Sequence, residues 1–148
     1  MAYGGYHTEV ALILRQAKAA GLELTVMGGD TMTNSELVTA AGDAADNVLF
    51  TFSPDARKNP DAAPIVEKFR AAKIEPEGYV LYAYAAMQLF EQAATAAKST
   101  KYAALEKAMR DGSFKTVIGE LSFDAKGDQK APGFVVYRWQ GGKYDYVK

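Results

Sequence analysis

In the first third of the chain, short apolar runs typical of strands alternate with segments whose apolar residues are spaced as in a helix. Four apolar residues recur at helical spacing: Val10, Ile13, Leu14 and Ala17. Thr8 is typical of a helix cap and Gly21 of a helix stop, so a helix is predicted between them. A first strand is predicted at the start of the chain, ending at the Tyr3-Gly4-Gly5-Tyr6 turn. Short strands are predicted at 22–27 and 47–52, with a weaker helix at about 33–41 between them. This order predicts a β-α-β-α-β unit with parallel strands.

The remainder of the chain has a different order of elements. After a polar loop at 54–60, three helices are predicted: 61–73, 79–97 and 101–111. Four short strands follow: 116–118, 120–123, 134–139 and 144–147. The last two form a hairpin across 140–143, which contains two glycines. The fold class is therefore α/β.

Composition limits the function classes. The chain has 148 residues, of which 49% are hydrophobic, so one compact domain with a sizeable core is predicted. Net charge is −1 without a Lys/Arg cluster, which argues against a nucleic-acid partner. There is no cysteine and one histidine, which excludes a disulfide frame and His-rich zinc sites. The apolar run at 79–97 is interrupted by Gln88, Glu91 and Gln92, which favours a buried helix over a membrane span.

Two glycine-rich turns carry the candidate site. They are Tyr3-Gly4-Gly5-Tyr6 and Met27-Gly28-Gly29-Asp30, each predicted at the carboxyl end of a strand. Open α/β sheets bind ligands at that edge, so the Tyr6 hydroxyl and the Asp30 carboxylate are expected to hold a cationic or polar small molecule. The alternative is that Asp30 caps the following helix and Tyr6 packs in its turn. A third candidate, Tyr79, stands at a helix start after a Pro-Glu-Gly turn.

Other chemistry lacks the required spacing. Gly28-Gly29 has neither the Gly-x-Gly-x-x-Gly nor the Gly-Lys-Ser/Thr pattern, so phosphate binding is not predicted. His7 has no nucleophile placed to use it, and we expect a histidine at a helix start that touches solvent. Asp124 and Asp128 lack the EF-hand spacing and are expected to form a hairpin turn. The chain is therefore predicted to be neither an enzyme nor a binder of a cofactor or metal.

Several segments together resemble the branched-chain amino-acid binding proteins of ABC transporters. They are Tyr-Gly-Gly-Tyr-His-Thr-Glu at 3–9, Leu-Arg-Gln-Ala-Lys-Ala-Ala-Gly-Leu at 14–22, Met-Gly-Gly-Asp at 27–30, Tyr-Ala-Tyr-Ala-Ala at 82–86, Thr-Val-Ile-Gly at 116–119 and Phe-Asp-Ala-Lys-Gly-Asp at 123–128. The resemblance covers the C-terminal portion of these type I periplasmic binding proteins, somewhat under half of the mature protein. It implies a three-layer αβα fold of the flavodoxin-like or Rossmann-like kind, as half of a two-lobed protein.

The resemblance also implies roles for the candidate residues. Tyr6 and Asp30 fall where the family contacts the α-ammonium of its ligand, and the family usually has Glu where Asp30 stands. Tyr79 falls where an aromatic residue lines the pocket for the ligand's side chain. The groups that hold the α-carboxylate come from an earlier part of the family's chain. We therefore expect weak or no amino-acid binding by residues 1–148 alone.

The chain is predicted to be a single fragment domain. The resemblance assigns its segments to the two lobes of the family. Residues 1–53 and 133–148 resemble elements of the C-terminal lobe, and residues 54–123 resemble helices and strands of the N-terminal lobe. Apolar faces would then lack their usual strands, since part of each lobe is missing. We expect either a rearranged single sheet or, preferentially, a homo-oligomer with exchanged, domain-swapped elements.

The partners implied by the resemblance are an amino acid and an ABC permease, in the periplasm for the parent protein. Met1 leads directly into the predicted first strand, so no signal peptide is recognised and the chain as given is expected to stay in the cytoplasm. The competing hypothesis is an engineered or excised half-protein that folds and assembles without a ligand function. A flavodoxin-like or receiver-like domain is disfavoured because the acidic cluster and the flavin phosphate loop are missing.

Overall fold

The computed structural model describes residues 1–130 and 133–147. They divide into two compact units. The first unit is Met1–Pro54 with Gly133–Lys148, and the second is Asp55–Pro132. Among the described residues, no helix combines the length and the apolarity that crossing a bilayer would require.

The first unit is built on a four-stranded mixed sheet. Its elements are α1 (His7–Ala19), β1 (Met27–Gly28), α2 (Glu36–Ala41), β2 (Leu49–Phe52), β5 (Val135–Gln140) and β6 (Lys143–Tyr146). The strand order is β1-β2-β5-β6. β1 and β2 are parallel, and a bridge from Ala2 to Met27 continues the parallel arrangement at the other side of β1. The predicted parallel start is confirmed, and β5 and β6 add antiparallel neighbours.

The predicted strand at 22–27 is wrong over most of its length. Only Met27–Gly28 is a strand, and Leu22, where the predicted strand begins, belongs to the end of α1. The Leu22 N–H donates to the Ala17 carbonyl and the Gly21 N–H to the Lys18 carbonyl, with Gly21 at φ +70°. These two bonds form a Schellman motif, which uses the Leu22 amide that a strand would have paired.

The predicted Thr8 cap of α1 is also wrong. The helix is capped by Tyr6, which has extended backbone angles and makes no side-chain capping bond. The Thr8 hydroxyl donates instead to the Glu9 carboxylate at 2.9 Å. Tyr6 is therefore held at the entry of the helix by its backbone, and its ring is not used for capping.

The C-terminal hairpin is confirmed. β5 and β6 are joined by Gly141 and Gly142, and the flanking Gln140 and Lys143 face each other in register. Both glycines have positive φ, +57° and +76°, as a type I′ turn requires. The Gly141 N–H also donates to the Asp46 carboxylate at 2.9 Å, which joins the turn to the segment before β2.

The second unit has three helices and a two-stranded sheet among its described residues. They are α3 (Ala63–Ala71), α4 (Val80–Ala97), α5 (Tyr102–Asp111), β3 (Phe114–Thr116) and β4 (Gly119–Leu121). The three predicted helices are confirmed in place. Their core consists of small and apolar residues: Ala56, Ala62, Val66, Leu81, Ala85 and Val117.

The predicted strands at 116–118 and 120–123 are displaced towards the N-terminus by about two residues. The chain turns at Val117 and Ile118, and Gly119 has φ +106°. The Val117 N–H donates to the side-chain oxygen of Gln88, and the Val117 carbonyl accepts from the side-chain amide of Asn59. Because side chains satisfy both backbone groups, Val117 needs no ladder partner and the strand ends before it.

Candidate functional site

Two glycines allow the backbone to make the turns that carry Tyr6 and Asp30. A Cβ on Gly5 would lie 2.7 Å from the Tyr3 ring, and a Cβ on Gly28 would lie 2.7 Å from the Met32 Cγ. Both distances are far shorter than a van der Waals contact. At Gly28 close packing requires glycine, because the Met32 side chain is fully buried and Gly28 does not have positive φ. At Gly5 a Cβ would displace the end of the Tyr3 side chain.

A direct hydrogen bond joins the two turns. The Thr31 hydroxyl donates to the Gly5 carbonyl at 2.7 Å in a partly buried setting, across 26 positions of sequence. Thr31 follows Asp30 and Gly5 precedes Tyr6, so the bond ties together the backbones that carry the two predicted site residues. The structure thus brings the two turns to the same place.

Tyr6 and Asp30 differ in exposure. Tyr6 is 66% exposed at the entry of α1, and Asp30 is half-buried as the first residue of a 3-10 turn, Asp30–Thr33. Gly29 precedes the 3-10 turn as its N-cap, and the Asn34 side chain accepts from the Glu36 N–H at 2.9 Å where α2 begins.

The turn that begins at Asp30 is anchored from the sheet. The Trp139 indole N–H donates to the Met32 carbonyl at 2.7 Å, and both residues are buried. The Thr33 hydroxyl donates to the Asp30 carbonyl at 2.8 Å and closes the turn locally. Sequence reasoning did not find the Trp139 contact. The available signal was one tryptophan at an inward position of an alternating strand.

His7 stands at a helix start, as predicted, and only a small part of its side chain touches solvent. Its side chain is 15% exposed, and its Nε2 atom lies 3.1 Å from the Glu36 carboxylate. The contact links the first turn of α1 to the first turn of α2. The histidine therefore packs between two helix starts beside the candidate site.

The first turn of α1 carries further negative charge. The pKa of Glu9 is lowered from its ordinary value of 4.5, first by its own backbone N–H, then by the Thr8 hydroxyl. With Asp30 and Glu36, three carboxylates lie on the turns and helix starts near the Thr31–Gly5 bond.

The third predicted site residue, Tyr79, lies in the second unit. It precedes α4 as its N-cap residue and is 53% exposed. The hydrogen bonds described above join the turns of Tyr6 and Asp30 and do not involve Tyr79.

Acidic residues of the second unit serve structural roles. The Asp124 carboxylate accepts from the N–H groups of Lys126 and Asp128 at 2.8 and 2.9 Å, as expected for a turn. Within residues 1–130 and 133–147, no group of three or more His, Asp or Glu side chains could hold a metal ion.

The mixed sheet with helices packed on it defines a class of protein, the α/β proteins. A family model described as periplasmic binding protein matches residues 2–143. The chain belongs to the periplasmic binding protein family, as the sequence motifs predicted.

Curated relatives give more detail. A Leu/Ile/Val-binding protein homolog 1 of Brucella suis is 49% identical over 99% of this chain and 40% of its own length. An amino acid binding protein of Pseudomonas aeruginosa is 39% identical over 96% of this chain and 39% of its own length. The chain therefore spans about two fifths of the length of these relatives.

Solved structures confirm the fold. A leucine binding protein of Thermotoga maritima matches with a TM-score of 0.85 at 26% identity, over 99% of this chain and 43% of that chain. A branched-chain amino acid transporter substrate binding protein of Streptococcus pneumoniae, in complex with isoleucine, matches with a TM-score of 0.81 at 26% identity, with the same coverage. The predicted α/β fold class, as half of a type I periplasmic binding protein, is thereby confirmed.

Proposed function

We propose that this chain is part of a solute-binding protein of an ABC transporter that takes branched-chain or related amino acids. In this proposal Tyr6 and Asp30 contact the ligand's ammonium group. The observation that carries it is the Thr31–Gly5 hydrogen bond, which ties together the turn after β1 and the turn after the parallel bridge from Ala2 to Met27. The names of the Brucella relatives support the ligand class.

Asp30 supplies the charge for this contact. A carboxylate that is half removed from water interacts with an ammonium group more strongly than an exposed one, because solvent screens the pair less. Charge-assisted hydrogen bonds of this kind contribute roughly 1.5–3 kcal/mol. Tyr6 adds a phenol oxygen that accepts a further ammonium hydrogen.

The two compact units correspond in this proposal to the two lobes of the parent protein. Met1–Pro54 with Gly133–Lys148 would contribute to the C-terminal lobe, and Asp55–Pro132 to the N-terminal lobe. Tyr79 would line the pocket for the ligand's side chain in the complete parent protein. The permease of the transporter would be the partner of the complete protein, in the periplasm.

Isotope-edited NMR of the chain tests the ammonium contact, because it detects weak binding. We expect leucine at millimolar concentration to shift the backbone signals of Gly4–Tyr6 and Gly29–Thr31. N-acetyl-leucine, which lacks the ammonium charge, should leave them unchanged. Asp30→Asn should abolish the leucine response, and Asp30→Glu should retain it.

Three results would contradict parts of this proposal. Equal shifts with leucine and N-acetyl-leucine would remove the ammonium contact. Shifts confined to other residues would remove the site. Sub-micromolar affinity by calorimetry would overturn the expectation that the isolated chain binds weakly.

The competing function, a half-protein that assembles without a ligand, makes the opposite prediction for NMR: no amino acid shifts any backbone signal. The homo-oligomer predicted from the sequence stays a prediction. Light scattering at tens of micromolar tests it, since a clean monomer would exclude exchanged elements.

A further inference from the structure

The loop between α3 and α4 contains Tyr79 and a carboxylate that two arginines bind. The Glu75 carboxylate accepts from an Arg57 guanidinium N–H at 3.0 Å and from the Arg70 Nε–H at 2.9 Å. A second Arg70 N–H donates to it at 3.2 Å. Both carboxylate oxygens of Glu75 are therefore engaged, a few positions before Tyr79.

Arg57 connects this carboxylate to the start of the second unit, whose first residue is Asp55. Its Nε atom lies 2.9 and 3.2 Å from the two Asp55 carboxylate oxygens, and its Nη2 atom lies 2.8 Å from one of them. The Asp55 carboxylate also accepts from the Arg57 backbone N–H at 3.0 Å. Arg57 therefore ties the entry of the unit to Glu75, which lies 18 positions beyond Arg57 in the sequence.

The surroundings of Arg57 distinguish its contacts from an ordinary surface ion pair. The Arg57 and Asp55 side chains are 22% and 15% exposed, so solvent screens their interaction less than it screens an exposed pair. Exposed pairs usually contribute little, but bidentate arginine–carboxylate pairs and networks of charges are exceptions. Arg57 meets the first condition because it binds Asp55 through two nitrogens. It meets the second because it shares the Glu75 carboxylate with Arg70.

The chain between Glu75 and Tyr79 is short and restrained. Pro76 is fully buried, and its ring fixes the φ angle of that residue. The Glu77 N–H donates to the Glu75 carbonyl at 2.9 Å, and Gly78 completes the turn with φ +55°. A displacement of Glu75 is therefore passed on to Tyr79 and is not absorbed by the residues between them.

We infer that Arg57 and Glu75 are positioning residues for Tyr79. The inference rests on the proposed function, in which Tyr79 lines the pocket for the ligand's side chain in the complete parent protein. The two charged residues do not touch the ligand: they hold the loop, and the loop determines where the aromatic ring stands. The wall that Tyr79 gives to the pocket is thus set by an ionic network at the entry of the second unit.

NMR of the chain tests this inference through the backbone amides at 78–80. Arg57→Gln removes the guanidinium group that bridges the two carboxylates. We expect these amide signals to shift and their hydrogen exchange to become roughly tenfold faster, as for the loss of one hydrogen bond to a charged group. Arg57→Lys keeps the charge but cannot reproduce the planar, bidentate contact, so its effect should lie between those of the unmodified chain and Arg57→Gln.

A pH profile gives a readout that a general loss of stability would not produce. The pKa of Glu75 is lowered from 4.5, first by the hydrogen bond from Arg70 and then by the one from Arg57. The amide signals at 78–80 should therefore titrate as the pH falls below 4.5 and the carboxylate is protonated. Glu75→Gln should abolish this titration. The charged groups that face Glu75 or its two arginines are Asp55, Arg57, Glu67 and Arg70.

Glu67→Gln is the matched control, because it makes the same chemical change at a neighbouring carboxylate. Glu67 contacts Arg70 at 3.4 Å and lies in α3, outside the loop. The signals at 78–80 and their titration should survive this substitution. Glu75→Gln is the milder of the two test variants, since the Glu75 side chain is 43% exposed, and it keeps the inference testable if Arg57→Gln does not fold. Circular dichroism of Glu75→Gln and Glu67→Gln should match that of the unmodified chain.

Two results would overturn the inference. One is a set of signals at 78–80 that Glu75→Gln leaves in place, and the other is a set that Glu67→Gln moves as far as Glu75→Gln does. A loop that titrates in a chain whose signals at 4–6 and 29–31 ignore leucine would uphold the positioning role and contradict the proposed function. Leucine shifts at those residues with an unmoved loop would do the reverse.

Discussion

Trp139 and Met32 are joined by a 2.7 Å hydrogen bond from the indole N–H to the backbone carbonyl, and both residues are buried. The bond connects β5 to the 3-10 turn that begins at Asp30. The position of Asp30 therefore depends on a strand more than 100 residues further along the chain. The turn that carries the proposed site residue Asp30 is thus supported by a residue that lies far away in the sequence.

Replacing Trp139 by Phe should destabilise the first unit. The variant leaves the buried Met32 carbonyl without this donor, which costs about 1–3 kcal/mol, and the smaller ring adds a packing loss. Urea denaturation measures the change in the free energy of unfolding. Val136→Ala, at an exposed position of the same strand, should change it by about 0.5 kcal/mol or less. Equal losses in the two variants would show that the hydrogen bond contributes nothing.

Replacing Thr31 by Val should separate the two glycine-rich turns. The side chains are similar in volume, so the main change is loss of the hydroxyl that donates to the Gly5 carbonyl. We expect a loss of about 0.5–1.5 kcal/mol and changed amide signals at 4–6. Thr31→Ser retains the hydroxyl and should keep these signals in place. Changed signals in the serine variant but not in the valine variant would contradict this role.

The sequence predicted the helices better than the strands, for a physical reason. Helix signals are local: the periodic apolar residues of α3, α4 and α5 placed all three within a few residues. Strand boundaries depend on the groups with which the backbone N–H and C=O pair, and these can lie far away in the sequence. The Leu22 amide is used by the α1 cap, and the Val117 backbone is held by Gln88 and Asn59, so both predicted strands moved or shortened.

For the candidate site too, local features were predicted from the sequence and contacts between distant residues were not. The turns that carry Tyr6 and Asp30 were predictable because glycine spacing and strand order are written in adjacent residues. The contacts of Trp139 with Met32 and of His7 with Glu36 join residues 107 and 29 positions apart. No single-sequence pattern specifies such pairs, since each depends on the packing of separate elements.

Acid should weaken the second unit through Glu75. Its pKa is lowered from 4.5, first by a hydrogen bond from Arg70 and then by one from Arg57. A lowered pKa in the folded state stabilises the protein above pH 4.5, and this contribution is lost as the pH falls through the folded-state value below 4.5. Glu75→Gln should therefore lower the melting temperature at pH 7, with the difference from wild type closing as the pH falls below 4.5.

Glu67→Gln is the control for this experiment, because Glu67 contacts the same Arg70 at 3.4 Å and is more exposed. It should change the melting temperature less than Glu75→Gln at pH 7. A Glu75→Gln difference that stays constant between pH 7 and pH 3 would contradict the ionic role of the carboxylate. Thermal melts by circular dichroism at several pH values provide the measurement.

The hairpin turn allows backbone conformation to be tested apart from packing. Gly141 has φ +57°, and a Cβ added there would have no heavy atom within 4 Å beyond its chain neighbours. Any cost of a side chain therefore reflects the left-handed backbone. Gly141→Val should lose about 1–2 kcal/mol by urea denaturation. Gly141→Asn should lose much less, because Asn-Gly is favoured in type I′ turns. If the two variants were equally stable, the turn would not require a left-handed residue at position 141.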